Sequence, residues 1–196
     1  MRTKWTAKWI LSPLLFSTYV FSAAVPSHAT LKVLPDACGS DAVKFSVKTD
    51  KDAPAPGDPA GGMAQVVFVQ TPELGNCIGC STTTRIGMDG SWLGANHGKS
   101  YFAVAIAPGE HHLCASLQAK IGPLGKLVAM TSFTAEAGKT YYFKLEPEDH
   151  NRTLPLPPNT PPNPDWRLNF GSMSEDEGKY GVKTSPQSKG VPSGKS

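Results

Sequence analysis

The chain has 196 residues, with 19 Lys and Arg against 16 Asp and Glu, four cysteines and a mean hydropathy of −0.25; these values exclude a membrane-embedded protein and a highly charged disordered one. Glycine and proline, 19 and 18 residues, make up about a fifth of the sequence, which suits strands and turns rather than long helices. Without Arg2, Lys4 and Lys8, which fall in a segment that reads as removed, 16 basic residues face 16 acidic ones, so the mature chain lacks the basic stripe of a nucleic-acid binder.

Residues 1–29 carry the three parts of a secretory signal: the positive Arg2, Lys4 and Lys8, the uncharged run Trp9–Ala24, and small residues, Ser27 and Ala29, at the −3 and −1 positions of a cleavage after Ala29. A spanning helix needs about 20 apolar residues, and Pro13 interrupts this run, so no stable membrane insertion is expected after cleavage. There is no twin-arginine pair, and Cys38 follows Pro35-Asp36-Ala37 well beyond the apolar run, which argues against a lipid anchor. The expected destination is the periplasm or the exterior.

Residues 30–62 begin the mature chain. Ala42–Lys48 alternates apolar and polar side chains, the period of a half-buried strand. Thr49–Gly62 mixes Pro54, Pro56 and Pro59 with Gly57, Gly61 and Gly62, and reads as an extended, mobile, disordered linker with little to bury.

Residues 63–146 read as strand, turn, strand. Gln65–Gln70 is a buried strand, Thr82–Met88 runs into the Asp89-Gly90 hairpin signal, and Ser91–Gly94 returns. Tyr101–Ile106 puts Phe102, Val104 and Ile106 on one face, Pro108-Gly109 turns the chain, and Leu113, Ala115 and Leu117 share a face of the next strand. Lys126–Ala135 and Thr140–Leu145 close the series around Ala137-Gly138. About seven short strands without helical periodicity predict an all-β, antiparallel sandwich.

Residues 147–180 form a Pro-rich extension, with seven prolines from Pro147 to Pro164 that are incompatible with a sheet interior. Trp166, Leu168 and Phe170 alternate as an edge strand would, and Ser174–Glu177 is a capping box for a short helix that Gly178 should end early. Residues 181–196 contain only Val182 and Val191 as apolar side chains and are expected to be a disordered tail.

Five segments carry a resemblance: Ala64–Val69, the Met88–Gly94 hairpin, Lys99–Phe102, Ala107–His112 and Ala137–Phe143. In this order they resemble the bacterial envelope family called domain of unknown function 2846, and the wider pattern is similar to PEGA and carboxypeptidase-regulatory-like sandwiches. The resemblance covers roughly residues 63–146 and implies an exported, non-catalytic sandwich of immunoglobulin/prealbumin-like type. It supplies no active-site residues. The matching turns have physical reasons of their own: Asp89 and Gly90 supply positive φ, Pro108 presets φ before Gly109, and Gly138 takes the strained position before a strand.

Cys77-Ile78-Gly79-Cys80 is the most suggestive chemical motif. A redox C-x-x-C sits at a helix N-terminus, whereas the Ser81–Ile86 run favours strand, and Ser81 stands where a c-type haem motif needs histidine. Cys77 and Cys80 also have zinc-ligand spacing, with Cys38 and Cys114 as further thiolates, but the last two are isolated, and exported cysteines more often pair. The favoured pairing is Cys38–Cys114 with Cys77–Cys80: Leu113, Ala115 and Leu117 face inward, which puts Cys114 on the outer face where the lead containing Cys38 can cross. His97, His111, His112 and His150 suggest no shared centre, because His111 and His112 point to opposite faces of one strand. G-x-S-x-G, H-E-x-x-H and Walker motifs are absent from the sequence.

The expected function is therefore a non-catalytic structural or binding role in the bacterial envelope, with an envelope protein or glycan as partner, no nucleic acid, and no catalytic, cofactor or metal residues. The alternatives are a thiol-disulfide redox protein using Cys77 and Cys80, and a cysteine/histidine metal-binding protein.

Overall fold

Alternation of apolar residues becomes two facing sheets in the computed structural model, which describes residues 35–71, 82–119, 124–125, 127–149 and 165–193. Ten strands and one helix follow in order: β1 (Phe45–Asp50), β2 (Ala64–Gln70), β3 (Thr83–Met88), β4 (Ser91–His97), β5 (Ser100–Ile106), β6 (Gly109–Gln118), β7 (Val128–Ala135), β8 (Thr140–Asp149), β9 (Trp166–Met173), α1 (Glu175–Lys183) and β10 (Gln187–Pro192). One sheet has the order β1-β10-β5-β2-β8-β9 and the other β4-β3-β6-β7. The segment read as a signal, Cys77, Cys80, His150 and most of the Pro-rich stretch lie outside the described residues.

The all-β, sandwich-like expectation holds; two finer ones do not. The described strands number ten rather than about seven, because β1, β9 and β10 join the seven that begin between residues 63 and 146. The larger sheet is mixed rather than antiparallel: β2 pairs parallel with β8 from Gln65↔Thr140 to Gln70↔Leu145, and β10 meets β5 in parallel at Gln187↔Tyr101. Parallel partners need a long crossover, and the whole four-stranded sheet lies between β2 and β8 in the chain.

The core lies between the sheets. Val66, Phe68, Phe143 and Leu145 of the larger sheet meet Ile86, Leu113, Ala115 and Leu117 of the smaller. Phe68 is central, its ring 6.0 Å from those of both Phe102 and Phe143. The other side of β2 is also covered: Val67 and Val69 pack with Tyr101 beneath Tyr142 and Val182. Burial on both faces explains why β2 reads as a continuous apolar run rather than an alternating one.

The chain departs from the sequence expectation at three further places. Pro147 sits within β8, paired with Leu168 of β9; β2 ends at Gln70 opposite Leu145, so Pro147 has a strand on one side alone and its missing N–H interrupts no ladder. Ser174 caps α1 through both halves of the capping box, yet the helix runs on through Gly178 to Lys183. Gly178 packs directly on the Tyr142 ring, and a Cβ at Gly181 would lie 2.8 Å from Val69 Cγ1. Small residues here bring the helix against the sheet rather than end it.

The third departure is the tail. Residues 181–193, expected to be disordered, complete α1 and form β10, which pairs with β1 from Phe45↔Pro192 to Asp50↔Gln187. Few apolar side chains are needed because ladder hydrogen bonds hold this ribbon, aided by the buried Ser188 hydroxyl donating to Ser100 Oγ at 2.8 Å. Gly190 passes the β4 backbone so closely that a Cβ would be 3.1 Å from Ala95 N.

Candidate functional site

The cysteines organise the outer face of the smaller sheet. Gly87 pairs with Cys114 in register, and the lead crosses above them, where a Gly87 Cβ would lie 3.2 Å from both Ala37 O and Cys38 Cα. Cys38 and Cys114 form the disulfide favoured from sequence, with Cα atoms 5.2 Å apart and 76 positions between them in sequence. Both are buried, so the bond fastens the lead to the sheet. Cys77 and Cys80 lie outside the described residues.

Beneath the same lead lies Arg85, which sequence reading missed. Its side chain is 2% exposed. The guanidinium donates to Val43 O at 2.8 Å, Asp41 Oδ1 at 3.0 Å and Ser116 Oγ at 2.9 Å, and lies 4.6 Å from the Trp92 ring centre. The Arg85 hydrogen bond holds the Asp41 carboxyl below its ordinary range, with burial opposing. The only sequence signal was an outward position on β3 opposite Ser116, two residues from the strand position facing Cys114.

Of the predicted turn residues, Asp89, Gly90 and Gly138 lie in turns, Pro108 lies at a bend and Gly109 opens β6. Asp89 has φ 50° and Gly90 φ 85°, the left-handed pair of the hairpin. Gly109 and Gly138 have φ 141° and 76°, and Gly138 N donates to Met63 O at 2.8 Å. Asp89 does more than turn: its Oδ2 is 2.7 Å from His111 Nδ1, and its Oδ1 accepts from His112 N at 2.8 Å. His111 and His112 share this carboxylate through a ring and a backbone N–H, not through two rings. His97 Nδ1 lies 2.8 Å from Thr83 Oγ1 across the β3–β4 pair. Among the described residues no group of three or more His, Cys, Asp and Glu is placed to hold a metal.

The strongest candidate for binding is a cleft of about 550 Å³ on the outer side of the larger sheet. Tyr101 and Tyr142 lie on its sheet side, α1 supplies Glu175, Lys179, Val182 and Lys183, and the Pro-rich linker contributes Lys51, Ala53, Ala55, Pro56 and Asp58. The linker expected to be disordered is instead placed: Thr49 and Asp50 belong to β1, and residues 51–62 form neither helix nor strand but are fastened by the Tyr101 hydroxyl, which donates to Pro54 O at 3.3 Å. Burial pushes both tyrosine hydroxyls up, Tyr101 further beside the Asp50 carboxylate and Tyr142 despite the opposing Lys179 charge. Both are neutral hydrogen-bond donors across the physiological range.

No protein-family model matches this chain, and no curated protein or solved structure is detectably similar to it. The site must be read from its own chemistry. Among the described residues no histidine or cysteine lines the cleft; its hydroxyls come from Tyr101, Tyr142, Thr140 and Ser185, and its charges from lysines and two carboxylates. Such a surface recognises by hydrogen bonds, charge and apolar contact.

Proposed function

We propose that this chain is an exported, non-catalytic β-sandwich protein with a binding role in the bacterial envelope, and that the cleft beside Tyr101, Tyr142 and α1 is where it binds. The cleft carries this reading: its volume lies in the range of small-molecule sites, and its walls set the apolar Ala53, Ala55, Pro56 and Val182 among hydroxyl and charged side chains. The Cys38–Cys114 disulfide supports the compartment, since such bonds persist where thiols are not kept reduced. The resemblance to domain of unknown function 2846 supports the same reading. Within it, β2–β8 form an immunoglobulin/prealbumin-like unit to which β1, β9 and β10 are added.

The test is to express the chain in a bacterium with its own leader, fractionate the cells, and sequence the N-terminus. Recovery from the periplasm or medium beginning at Thr30, inert in an insulin-reduction assay, is the expected result. Retention in the cytoplasm from Met1, or thiol-reductase activity lost in Cys77→Ser, overturns it.

A further inference from the structure

We infer that the cleft selects a small organic anion, a carboxylate carried on an apolar body, with Lys51 and Lys183 as its charge partners. The inference rests on the cleft being the binding site. Lys51 follows β1 and Lys183 ends α1, so the fold brings to the lining of one cleft two lysines that are 132 positions apart in sequence. Neither has an ion-pair partner among the described residues.

The neighbouring acids are already engaged. Asp50 pairs with Lys189 at 2.8 Å and Glu175 with Lys179 at 2.6 Å. Lys183 Nζ makes no hydrogen bond among the described residues, and the carbonyls of Tyr180 and Val182 at the end of α1 accept from Thr184 N at 3.0 Å and Ser185 N at 3.4 Å. Asp58 is the remaining carboxylate of the cleft, one negative group against two uncommitted positive ones. A charge-assisted bond from lysine to a carboxylate is shorter and stronger than a neutral one.

The rest of the cleft defines the body of the ligand. Ala53, Ala55, Pro56 and Val182 present apolar surface. The Tyr142 hydroxyl makes no hydrogen bond among the described residues and is available as a further donor. A linker with three prolines loses little freedom when it closes on a ligand, and the Tyr101–Pro54 bond already holds it in place.

The experiment titrates the mature chain from Thr30 with 4-phenylbutyrate, 4-phenylbutyramide and 4-phenylbutylamine by calorimetry, in wild type, Lys51→Gln/Lys183→Gln and Ala55→Trp. The expected order is carboxylate over amide by roughly tenfold, the worth of one charge-assisted contact, with the amine weakest. The double lysine variant should bind carboxylate and amide alike, with unchanged far-UV dichroism, and Ala55→Trp should weaken both. If wild type binds carboxylate and amide equally and Ala55→Trp blocks both, the anion inference fails while the cleft remains the site. If none of the three binds, or Ala55→Trp leaves binding unchanged, the cleft reading fails as well.

Discussion

His111 is held between two acceptors, with Nδ1 2.7 Å from Asp89 Oδ2 and Nε2 2.9 Å from Ala107 O. A neutral imidazole has one N–H and satisfies one of them; the imidazolium satisfies both. The pair ties the β3–β4 hairpin to the turn between β5 and β6. Burial disfavours the charged ring, but Asp89 and the Ala107 carbonyl outweigh it and raise the His111 pKa above 6.5. Burial likewise pushes Asp89 up, and the His112 N–H and His111 ring bring it below 3.8.

The signs follow from linkage. His111 contributes its full stabilisation below 6.5, and this is lost as pH rises through the raised folded value. Asp89 contributes above 3.8, and its share is lost as pH falls through its lowered value. Melting temperatures of wild type and His111→Gln should therefore differ most between about pH 4 and 6.5 and converge toward pH 8.5. With Asp89 43% exposed, solvent screening keeps the maximum difference to about 0.5–1 kcal/mol. Asp36, Glu110 and His112 lie close to the pair in the fold and are present in both proteins, so the difference between the two profiles isolates the His111–Asp89 pair. A constant offset from pH 5 to 8.5 would mean that the ring acts by packing alone.

The Cys38–Cys114 bond closes a loop of 76 positions, which in the chain-entropy account stabilises the fold by about 4 kcal/mol. Cys38→Ser should lower the melting temperature by roughly 8–16 °C, taking about 2–4 °C per kcal/mol for a chain of this length. Scanning calorimetry under non-reducing conditions measures it. A change under 2 °C would show that the lead stays docked without its covalent tie.

β5 and β6 were legible because each has one apolar face: Phe102, Val104 and Ile106, or Leu113, Ala115 and Leu117, declare their inward side by alternation alone, and β2 was legible as a continuous apolar run. The outward position of Cys114, and hence its pairing with Cys38, followed from the same alternation. What could not be read was held by groups without a hydrophobic signature. β10 is held to β1 by ladder hydrogen bonds, and Gly178 suggested a helix end because nothing local to it indicates that Tyr142 packs there. The cleft was illegible for a related reason: Lys51, Tyr101, Tyr142 and Lys183 come from four separate elements, and a Pro-rich linker gives no sign in sequence of what it will lie against.

Arg85 tests how the lead is docked. Arg85→Ala removes donors from Val43 O, Asp41 and Ser116 beneath a covered surface and should destabilise by about 2–4 kcal/mol. Asp41→Ala should cost less, about 1 kcal/mol, because Asp41 is half exposed and the Val43 and Ser116 bonds remain. Urea unfolding measures both. Equal effects would place the stabilisation in the ion pair rather than in the buried guanidinium.

Gly178 separates helix propensity from packing. In a solvent-facing helix, Gly→Ala gains about 1 kcal/mol, so propensity alone predicts that Gly178→Ala stabilises α1. A Cβ at this position would instead meet the Tyr142 ring, while one at Gly171 meets nothing within 4 Å. Overpacking of this kind costs about 1–3 kcal/mol, and moving α1 off the sheet would also displace Lys179 and Lys183 at the cleft. Gly178→Ala is expected to lower the urea midpoint, with Gly171→Ala, which adds a methyl without a clash, changing it little. Faster amide exchange across residues 175–183 should accompany the loss. A rise in the midpoint with unchanged exchange would show that α1 is not seated on Tyr142, and the cleft would lose one of its walls.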